Sequence, residues 1–364
     1  MRKTFKYRIY PNRVQEQRIL DTLDHCRLLY NRLLAERIES YQRFNHTVSW
    51  VDQQKSFPAR KVAIPELQMI YSQVLQDVTR RLDKTYQAFF RRVKLGQEKP
   101  GFPRFKPVGR YHSFTYPQAG YALRGRHLHL SKIGEVKIKL SRPICGKIKT
   151  CTILAKNGKY YACFSCEVDP AILPPSDHGV GIDMGITHLA VTSDGEVFDA
   201  PKYLRKSERK LKRKQRQVAK SKKGSKRRKK RVRELARIHE HIANQRRDHA
   251  HKLSRYLINT YGLIAFENLN TLGLLKNHHL AKSIADAGWR QLLQCTIAKA
   301  EEAGRQVVLV DPKYTSQDCS TPGCVYRKTD LTLKDRVWQC PECGIHHDRD
   351  INAAQNILTR ALAG

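Results

Sequence analysis

The sequence predicts a multidomain α+β fold, and three patterns along the chain support this prediction. Near the N-terminus, and again over residues 113–168, apolar and polar side chains alternate as they do in half-buried β-strands. Between these regions the apolar residues recur with the helical period of about 3.6 residues. From residue 177 onward short strands and longer helices alternate, and two pairs of cysteines follow near the C-terminus.

The strand-like regions predict a small N-terminal β-barrel. Residues 4–10 alternate apolar and basic side chains and end before a proline, which has no backbone donor. Four further alternating segments read HLHL, EVKIKL, KIKTCTILA and KYYACFSCEV. Between the last two, Asn157 and Gly158 predict a tight hairpin turn. We expect residues 1–10 and 104–170 to form this barrel.

A helical recognition block is expected over residues 11–103, where it interrupts the barrel. Apolar residues with helical periodicity run from Leu20 to Tyr41 and from Pro65 to Val93, and a loop rich in glycine and proline ends the block. A solvated helix face would explain any single arginine on the second helix. Together these arginines are candidate nucleic-acid contacts: Arg80, Arg81, Arg91 and Arg92.

The chain beyond the prolines at 170–175 has the element order of a ribonuclease H-like domain. The expected strands cover residues 179–183, 187–193, 196–199, 263–266 and 306–310, and the expected helices cover 203–260, 288–303 and 350–363. Three hairpin-connected strands are thus followed by helix, strand, helix, strand and helix. We expect residues 177–313 and 346–364 to form this α/β domain, with residues 314–345 inserted before its last helix.

The inserted segment predicts a zinc ribbon. Its two cysteine pairs are Cys319 with Cys324 and Cys340 with Cys343, and each pair encloses a proline. Four thiolates from two such turns complete a tetrahedral Zn²⁺ shell, whereas unrelated thiols in a reducing compartment have no reason to cluster in this way. With four sulfur ligands the shell is full, so the neighbouring His346, His347 and Asp348 are expected to shape the turn that leads into the last helix.

The charge balance of the chain predicts a polyanionic partner. Lysine and arginine outnumber aspartate and glutamate by 69 to 33, and the formal net charge is +36. Because the basic residues spread along polar helices, nucleic acid is favoured over a membrane surface. The N-terminus lacks the apolar core of a signal peptide and no apolar run has transmembrane length. We therefore expect a cytoplasmic protein.

The most basic segment of the chain reads KYLRKSERKLKRKQRQVAKSKKGSKRRKKRVRE. Such a segment holds nucleic acid through phosphate neutralisation rather than through base sequence. The alternative is a flexible solvated segment, and residues 221–230 are expected to be disordered until nucleic acid binds. The candidate contacts are Lys212, Arg213, Lys226, Arg227 and Arg228.

Three acidic residues follow or open elements that meet at one edge of the predicted sheet. Asp183 ends the first strand of the second half, Glu267 ends a buried strand, and Asp350 opens the final helix. Any one of them alone is better explained as a turn residue, a solvated strand end or a favourable charge at a helix N-terminus. Three in this order predict a site for hard cations such as Mg²⁺, which two-metal phosphodiester hydrolysis requires.

Several motifs together resemble the TnpB (OrfB) family of transposon-encoded RuvC-like nucleases. They are GIDMGITHLAV, FENLN, the cysteine segment and HDRDINAAQNIL, while YRIYPN and RLDKTYQAFFRRVKLGQEKPGFPRFK are similar to the N-terminal half of that family. By motif, the resemblance implies catalytic, Mg²⁺-binding carboxylates at Asp183, Glu267 and Asp350, and zinc ligands at the four cysteines of the ribbon. The first cysteine pair, C-S-T-P-G-C, encloses four residues rather than the family's usual two.

The resemblance implies an RNA-guided DNA endonuclease related to the compact type V CRISPR effectors, with two catalytic Mg²⁺ ions and one structural Zn²⁺ ion. Its partners would be a guide RNA from the transposon end and double-stranded target DNA beside a short motif, and its activity would support transposon maintenance. The barrel would be a wedge-like domain that binds nucleic acid, and the protein would associate with the nucleoid when bound to DNA. A nuclease-inactive RNA-guided repressor is one alternative, although it should lack an acidic residue of the set. An unguided structure-specific nuclease is another, but it leaves the first 175 residues unexplained. A strand-transfer transposase is favoured least.

Overall fold

A computed structural model of the chain describes residues 1–332 and 334–363. The chain divides into two compact units, Met1–Asp169 and Pro170–Gly364, each with its own buried apolar cluster. Both units combine helices with a sheet, which confirms the expected mixed α+β character. In the part of the chain described, no helix is long and apolar enough to span a membrane.

The first unit contains a seven-stranded antiparallel sheet. Its strands are β1 (Arg2–Tyr10), β2 (Ser113–Tyr116), β3 (Tyr121–Arg124), β4 (His127–Leu130), β5 (Gly134–Lys139), β6 (Lys147–Lys156) and β7 (Lys159–Glu167). The order across the sheet is β2-β6-β7-β1-β5-β4-β3, so the N-terminal strand lies at the centre, between β7 and β5. The expected hairpin joins β6 to β7, with Asn157 and Gly158 both at positive φ.

The expectation of a closed barrel is wrong, because β2 and β3 are the two edges of an open sheet. Among the described residues no ladder pairs these two strands. Both strands have only four residues, and a helix covers the β2 edge instead. The Arg81 guanidinium on that helix donates to the Ser113 carbonyl oxygen at 2.7 Å and to the Thr115 hydroxyl at 2.7 Å. The guanidinium therefore bonds one backbone carbonyl and one side-chain hydroxyl of this edge strand.

The helical block lies between β1 and β2 in the chain. It comprises α1 (Arg13–Phe44), α2 (Trp50–Lys55), α3 (Phe57–Ala63), a 3₁₀ turn (Pro65–Met69) and α4 (Ser72–Lys94). Asn12 starts α1 with a reciprocal pair of hydrogen bonds to Gln15, a capping box that satisfies two backbone donors. The helix expected from Pro65 is interrupted at Ile70, whose backbone is extended, and α4 begins after it.

The second unit contains a five-stranded sheet, a two-stranded ribbon and six helices among its described residues. The strands are β8 (Gly179–Asp183), β9 (His188–Thr192), β10 (Val197–Asp199), β11 (Leu263–Glu267), β12 (Gln306–Val310), β13 (Val337–Gln339) and β14 (His346–Asp348). The helices are α5 (Tyr203–Ala219), α6 (Lys226–Thr260), α7 (Thr271–Leu274), α8 (Ala281–Ala287), α9 (Trp289–Ala303) and α10 (Arg349–Ala363). The sheet order is β10-β9-β8-β11-β12, with β8, β11 and β12 parallel.

A glycine in β8 allows α10 to pack directly on this sheet. A Cβ atom at Gly181 would lie 1.9 Å from the Ala354 carbonyl oxygen, so a larger residue would push the helix away. Further back along the strand, a Cβ at Gly179 would contact the Leu358 side chain at 3.2 Å. The helix therefore runs antiparallel to β8, and its first turn reaches the carboxyl end of that strand.

The basic segment between α5 and α6 is ordered, contrary to the expectation that residues 221–230 are disordered. The Ser225 hydroxyl accepts a hydrogen bond from the Arg228 backbone at 3.1 Å and caps α6. The Arg228 guanidinium donates to the Val218 carbonyl oxygen at 2.7 Å, and Arg231 donates to the Gln217 carbonyl oxygen at 2.8 Å. Two arginines of α6 thus bond carbonyl oxygens in the last turn of α5, and these bonds join the two helices across the turn.

Candidate active site and zinc centre

Two of the predicted carboxylates lie side by side at one edge of the second sheet. Asp183 is the last residue of β8 and Glu267 is the last residue of the neighbouring strand β11. The two strands are parallel, with Phe266 opposite Ile182, so both acidic residues leave the sheet at the same end. Asp350 in the first turn of α10 comes to this end through the packing of that helix on β8.

The electrostatics of Asp183 show that the three carboxylates interact. Burial, followed by the nearby charges of Glu267 and Asp350, raises the pKa of Asp183 from 3.8 to about 7. Arg349 and Arg336 oppose this shift only in part. At neutral pH the ionised form of Asp183 is therefore costly, and a bound cation would remove that cost. An all-oxygen donor set with this much negative charge fits a hard divalent cation such as Mg²⁺.

Glu267 is held in place by a threonine from the segment that follows β12. Glu267 is only 7% exposed, and its carboxylate accepts a hydrogen bond of 2.5 Å from the Thr315 hydroxyl. Burial raises the pKa of Glu267, and the hydrogen bond from Thr315 opposes this rise only in part. Thr315 is itself 2% exposed, so this contact lies inside the fold and restricts the carboxylate to one orientation. Sequence reasoning did not identify Thr315, which lies outside the acidic motifs.

Asp350 is paired with two arginines that the sequence reasoning also missed. Arg336 approaches one of its oxygens at 3.2 Å and Arg349 approaches the other at 3.2 Å. The helix start beneath them is built by Asp348, whose side chain accepts hydrogen bonds from the backbones of Asp350 and Ile351, each at 3.0 Å. Residues 346–348 were expected to shape the chain before Asp350. They form the short strand β14, and its last residue, Asp348, caps the helix that carries Asp350.

An open cleft of about 660 Å³ lies beside these carboxylates. Asp183 and Asp350 line it, together with residues of the segment after β12, including Lys313 and Tyr314. A smaller neighbouring cavity of about 250 Å³ is lined by Glu267 and by Arg290. Met184 and Trp289 line both cavities, and the Trp289 indole donates to the Gly185 carbonyl oxygen at 3.0 Å. The carboxylates are therefore reachable from an open, partly cationic groove.

The four ribbon cysteines form a compact group. All four sulfur atoms lie within 4.8 Å of one another. The Sγ atoms of Cys319 and Cys343 are 3.7 Å apart, as are those of Cys324 and Cys340. A tetrahedral ion with zinc–sulfur bonds of about 2.3 Å requires sulfur atoms about 3.8 Å apart, which matches these two separations, so this cluster could bind a structural zinc ion.

Further polar groups surround the sulfur cluster. The Thr321 hydroxyl lies 3.3 Å from Cys319 Sγ and 3.5 Å from Cys343 Sγ, and its hydrogen bond is the main reason that the pKa of Cys343 is lowered. His347 Nε2 lies 3.1 Å from Cys319 Sγ, while its ring packs against Trp338. Donors of this kind stabilise thiolate charge and orient metal ligands.

The ribbon is fastened to α10 by asparagines of that helix. The Asn352 amide donates to the Asp318 carbonyl oxygen at 2.8 Å and accepts a hydrogen bond from the Ser320 backbone at 2.9 Å. One turn later, the Asn356 amide donates to the carbonyl oxygens of Thr315 at 2.9 Å and of Asp318 at 2.7 Å. The helix that carries Asp350 therefore also positions the segment that carries Thr315 and the first zinc cysteine.

Some of the predicted nucleic-acid contacts form hydrogen bonds inside the protein, and others are exposed to solvent. Arg81, Arg92 and Arg228 donate to carbonyl oxygens within their own units and stabilise those units. The exposed members are Arg80, Arg91, Lys212, Arg213, Lys226 and Arg227. Along α5, basic side chains between Lys206 and Lys220 line an open groove of about 950 Å³. This groove has the positive lining that a phosphate backbone requires.

Comparison with known proteins identifies related families over most of the chain. Residues 163–278 match the OrfB_IS605 family, described as "Probable transposase", and residues 289–357 match the Cas12f1-like TNB domain. Residues 1–46 match a domain of the same OrfB family described as "Helix-turn-helix domain". In this chain those residues form β1 and the single long helix α1 rather than two helices joined by a turn.

Two relatives match almost the whole chain. A Streptomyces pristinaespiralis protein named "Putative RNA-guided DNA endonuclease" is 33% identical over 100% of this chain and 90% of its own length. The Escherichia coli K12 protein "Putative RNA-guided DNA endonuclease InsQ" is 30% identical over 99% of this chain and 92% of its own length. A solved structure of "the mini-RNA-guided endonuclease CRISPR-Cas_phi3" has a similar fold, with a TM-score of 0.52 at 9% identity, covering 100% of this chain and 92% of the other.

Proposed function

Because this chain belongs to the TnpB (OrfB) family, as its motifs indicated, we propose that it is an RNA-guided DNA endonuclease of a mobile element. It hydrolyses phosphodiester bonds of target DNA after a guide RNA has paired beside a short DNA motif. Its partners are the guide RNA, which derives from the transposon end, and double-stranded DNA. In the cell it is cytoplasmic and joins the nucleoid when bound to DNA, and its cutting supports maintenance of the transposon.

The observation that carries this proposal is the complete acidic set at one edge of the second sheet. Asp183 and Glu267 end neighbouring parallel strands, and the charge of Asp350 reaches Asp183. A buried carboxylate whose ionised form is disfavoured by two neighbouring carboxylates has an evident use if cations join the three. A repressor derived from the family would have no need to keep all three, so the nuclease is favoured over the nuclease-inactive alternative.

In the reaction, each residue of the site has a separate task. Asp183, Glu267 and Asp350 would hold two Mg²⁺ ions, which when bound would activate the attacking water and stabilise the leaving oxygen. Thr315 keeps Glu267 in one orientation through its hydrogen bond. Arg336 and Arg349 form ion pairs with the Asp350 carboxylate and orient it at the cleft. The scissile phosphate enters from the open cleft, whose cationic lining favours a polyanion.

The remaining parts of the chain serve nucleic-acid binding. The sheet at 1–10 and 104–170 and the helical block at 11–103 grip the guide RNA and the short DNA motif. The groove along α5 holds the paired guide and target through backbone charge. The ribbon at 314–345 carries one structural Zn²⁺ ion on its four cysteines. It connects the parts of the nuclease domain at 177–313 and 346–364 and braces the segment that orients Glu267.

The test begins with the protein expressed together with its flanking DNA. We expect one dominant copurified RNA with a fixed scaffold and a replaceable end, and Mg²⁺-dependent cleavage of a plasmid that matches that end. An Asp183→Asn variant should bind the matched plasmid without cutting it. An Asp177→Asn variant, which changes the same charge at an exposed residue before β8, should cut normally.

Other outcomes overturn the proposal in distinct ways. A discrete RNA with matched DNA bound but uncut by the unaltered protein would establish the guided repressor. A featureless mixture of cellular RNA, with cleavage that does not depend on matching, would establish an unguided nuclease whose positive charge binds polyanions generically.

A further inference from the structure

The segment that follows β12 contains a backbone conformation that an aromatic residue rarely adopts. Tyr314 has a φ of 65°, in the left-handed region that favours glycine. The other non-glycine residues at positive φ among those described are asparagines and lysines. Strained backbone of this kind persists where the surroundings enforce it, and it often accompanies a functional site.

Hydrogen bonds made by Tyr314 and by the residue that follows it hold the backbone of Tyr314 in this conformation. Its carbonyl oxygen accepts hydrogen bonds from the backbones of Gln317 and Asp318, each at 3.0 Å. The next residue, Thr315, is buried, with its hydroxyl on Glu267 and its carbonyl oxygen on the Asn356 amide. The backbone at residue 314 is therefore fixed by the same contacts that position the Glu267 carboxylate. Because the backbone is fixed, the direction in which the tyrosine side chain leaves it is fixed as well.

The tyrosine ring itself is open to solvent and surrounded by cations. Tyr314 is 40% exposed and lines the cleft that Asp183 and Asp350 also line. The Arg327 guanidinium lies over its ring at 4.0 Å from the centroid, and the Lys313 ammonium lies at 4.9 Å. Arg327 is held there by an ion pair with Asp318. An exposed aromatic ring combined with positive charge is the arrangement by which proteins hold unpaired bases of single-stranded nucleic acid.

We propose that Tyr314, backed by Arg327, stacks against an unpaired nucleobase of the DNA strand whose phosphate lies at the three carboxylates. This deepens the proposed function, on which it rests, by assigning a positioning residue for a single-stranded substrate. Stacking on an aromatic ring tolerates every base, which suits an enzyme whose sequence choice comes from its guide. The strained backbone holds the ring at the cleft. The hydrogen bond from Thr315 to Glu267 fixes the position of the ring relative to the Glu267 carboxylate.

Two substitutions at this position separate the role of the ring from the stability of the fold. Tyr314→Gly removes the ring and accepts the positive φ, so it should unfold at the same or a higher temperature than the unaltered protein. It should nevertheless cut matched DNA about tenfold more slowly, as expected for the loss of one base–aromatic stack. Tyr314→Phe keeps the ring and should cut within about twofold of the unaltered rate.

Substrates with a single abasic site identify the base concerned. After the cut positions are mapped, one abasic site is placed in turn at each position within a few nucleotides of the cut. One position should slow the unaltered protein and Tyr314→Phe about tenfold. The same position should not slow Tyr314→Gly further. Equal rates for the glycine variant and the unaltered protein, or equal sensitivity of both at every position, would overturn the stacking role while leaving the nuclease intact.

A crosslinking measurement keeps the stacking role testable even if guided cleavage is absent. A single strand carrying 5-iododeoxyuridine is irradiated with the full-length protein, and the crosslinked peptide is identified by mass spectrometry. A crosslink at Tyr314, present in a protein that does not cut, would support stacking and reject the proposed function. Crosslinks confined to other residues would reject stacking whether or not the protein cuts.

Discussion

Replacing Asp183 by asparagine should stabilise the metal-free protein while abolishing its cleavage of DNA. Asp183 lies beside Glu267 and Asp350, and its pKa is raised from 3.8 to about 7 by burial and by their charges. As the pH rises past 4 the unfolded chain ionises this group before the folded protein does, so folding stability falls until the pH reaches about 7. Asparagine does not ionise, so the variant does not lose folding stability as the pH rises.

The size of the effect follows from the pKa shift. A shift of about three units at about 1.4 kcal/mol per unit gives an upper limit of ~4 kcal/mol. Because Asp183 is only partly buried, we expect about half of this limit, ~2 kcal/mol. In a unit of this size, each kcal/mol raises the melting temperature by about 2–4 °C. The variant should therefore melt about 4–8 °C higher at pH 8 and at nearly the same temperature as the unaltered protein at pH 4.5.

Calorimetry of the full chain in buffer without added divalent cations provides the measurement. A chelator is avoided because it would also remove zinc from the ribbon. Asp177→Asn serves as the control for the change in net charge and should shift the melting temperature little at either pH. Added Mg²⁺ should stabilise the unaltered protein more than Asp183→Asn. A variant less stable than the unaltered protein at pH 8, or a difference equal at the two pH values, would refute the assigned electrostatic cost.

Three further predictions concern neighbouring residues. Glu267→Gln should reduce cleavage below detection while leaving RNA-dependent DNA binding intact in a gel-shift assay; cutting at the normal rate would remove Glu267 from the mechanism. Thr315→Val should slow cleavage about tenfold or more, the value of a hydrogen bond to a charged group, and Thr315→Ser should restore most of the rate; equal rates for the valine and serine variants would show that the hydroxyl has no positioning role. Cys340→Ser should lower bound zinc from about one ion per chain towards none and reduce the melting temperature, and unchanged zinc in mass spectrometry would contradict the ligand assignment.

Much of the site was predictable because it depends on local pattern. A buried apolar run that stops at a carboxylate identifies the end of a core strand, which is how Asp183 and Glu267 could be found. The cysteine pairs have a spacing that is typical of zinc ribbons, and their sulfur atoms lie together as expected. The order of elements was equally local, since each strand and helix shows its own periodicity.

What sequence reasoning missed depends on contacts between distant segments. At the open edge of the first sheet, Arg81 on α4 donates hydrogen bonds to Ser113 and Thr115, which are distant from it in the chain. Periodicity marks this arginine as a surface residue and carries no information about its partner. Likewise, the strained φ of Tyr314 results from contacts of its neighbours with Glu267 and α10, and no local pattern predicts it.

The close approach of α10 to Gly181 also determines when, during synthesis, the three carboxylates can come together. Asp183 leaves the ribosome long before Asp350, which is supplied by a helix that follows the ribbon in the chain. Until that helix docks on the glycine, the sheet edge has two carboxylates and the Thr315 segment lacks its asparagine supports. The basic helices α5 and α6 therefore leave the ribosome before the acidic set can be completed. The three carboxylates come together only after the last helix of the described chain has been synthesised and has docked on β8.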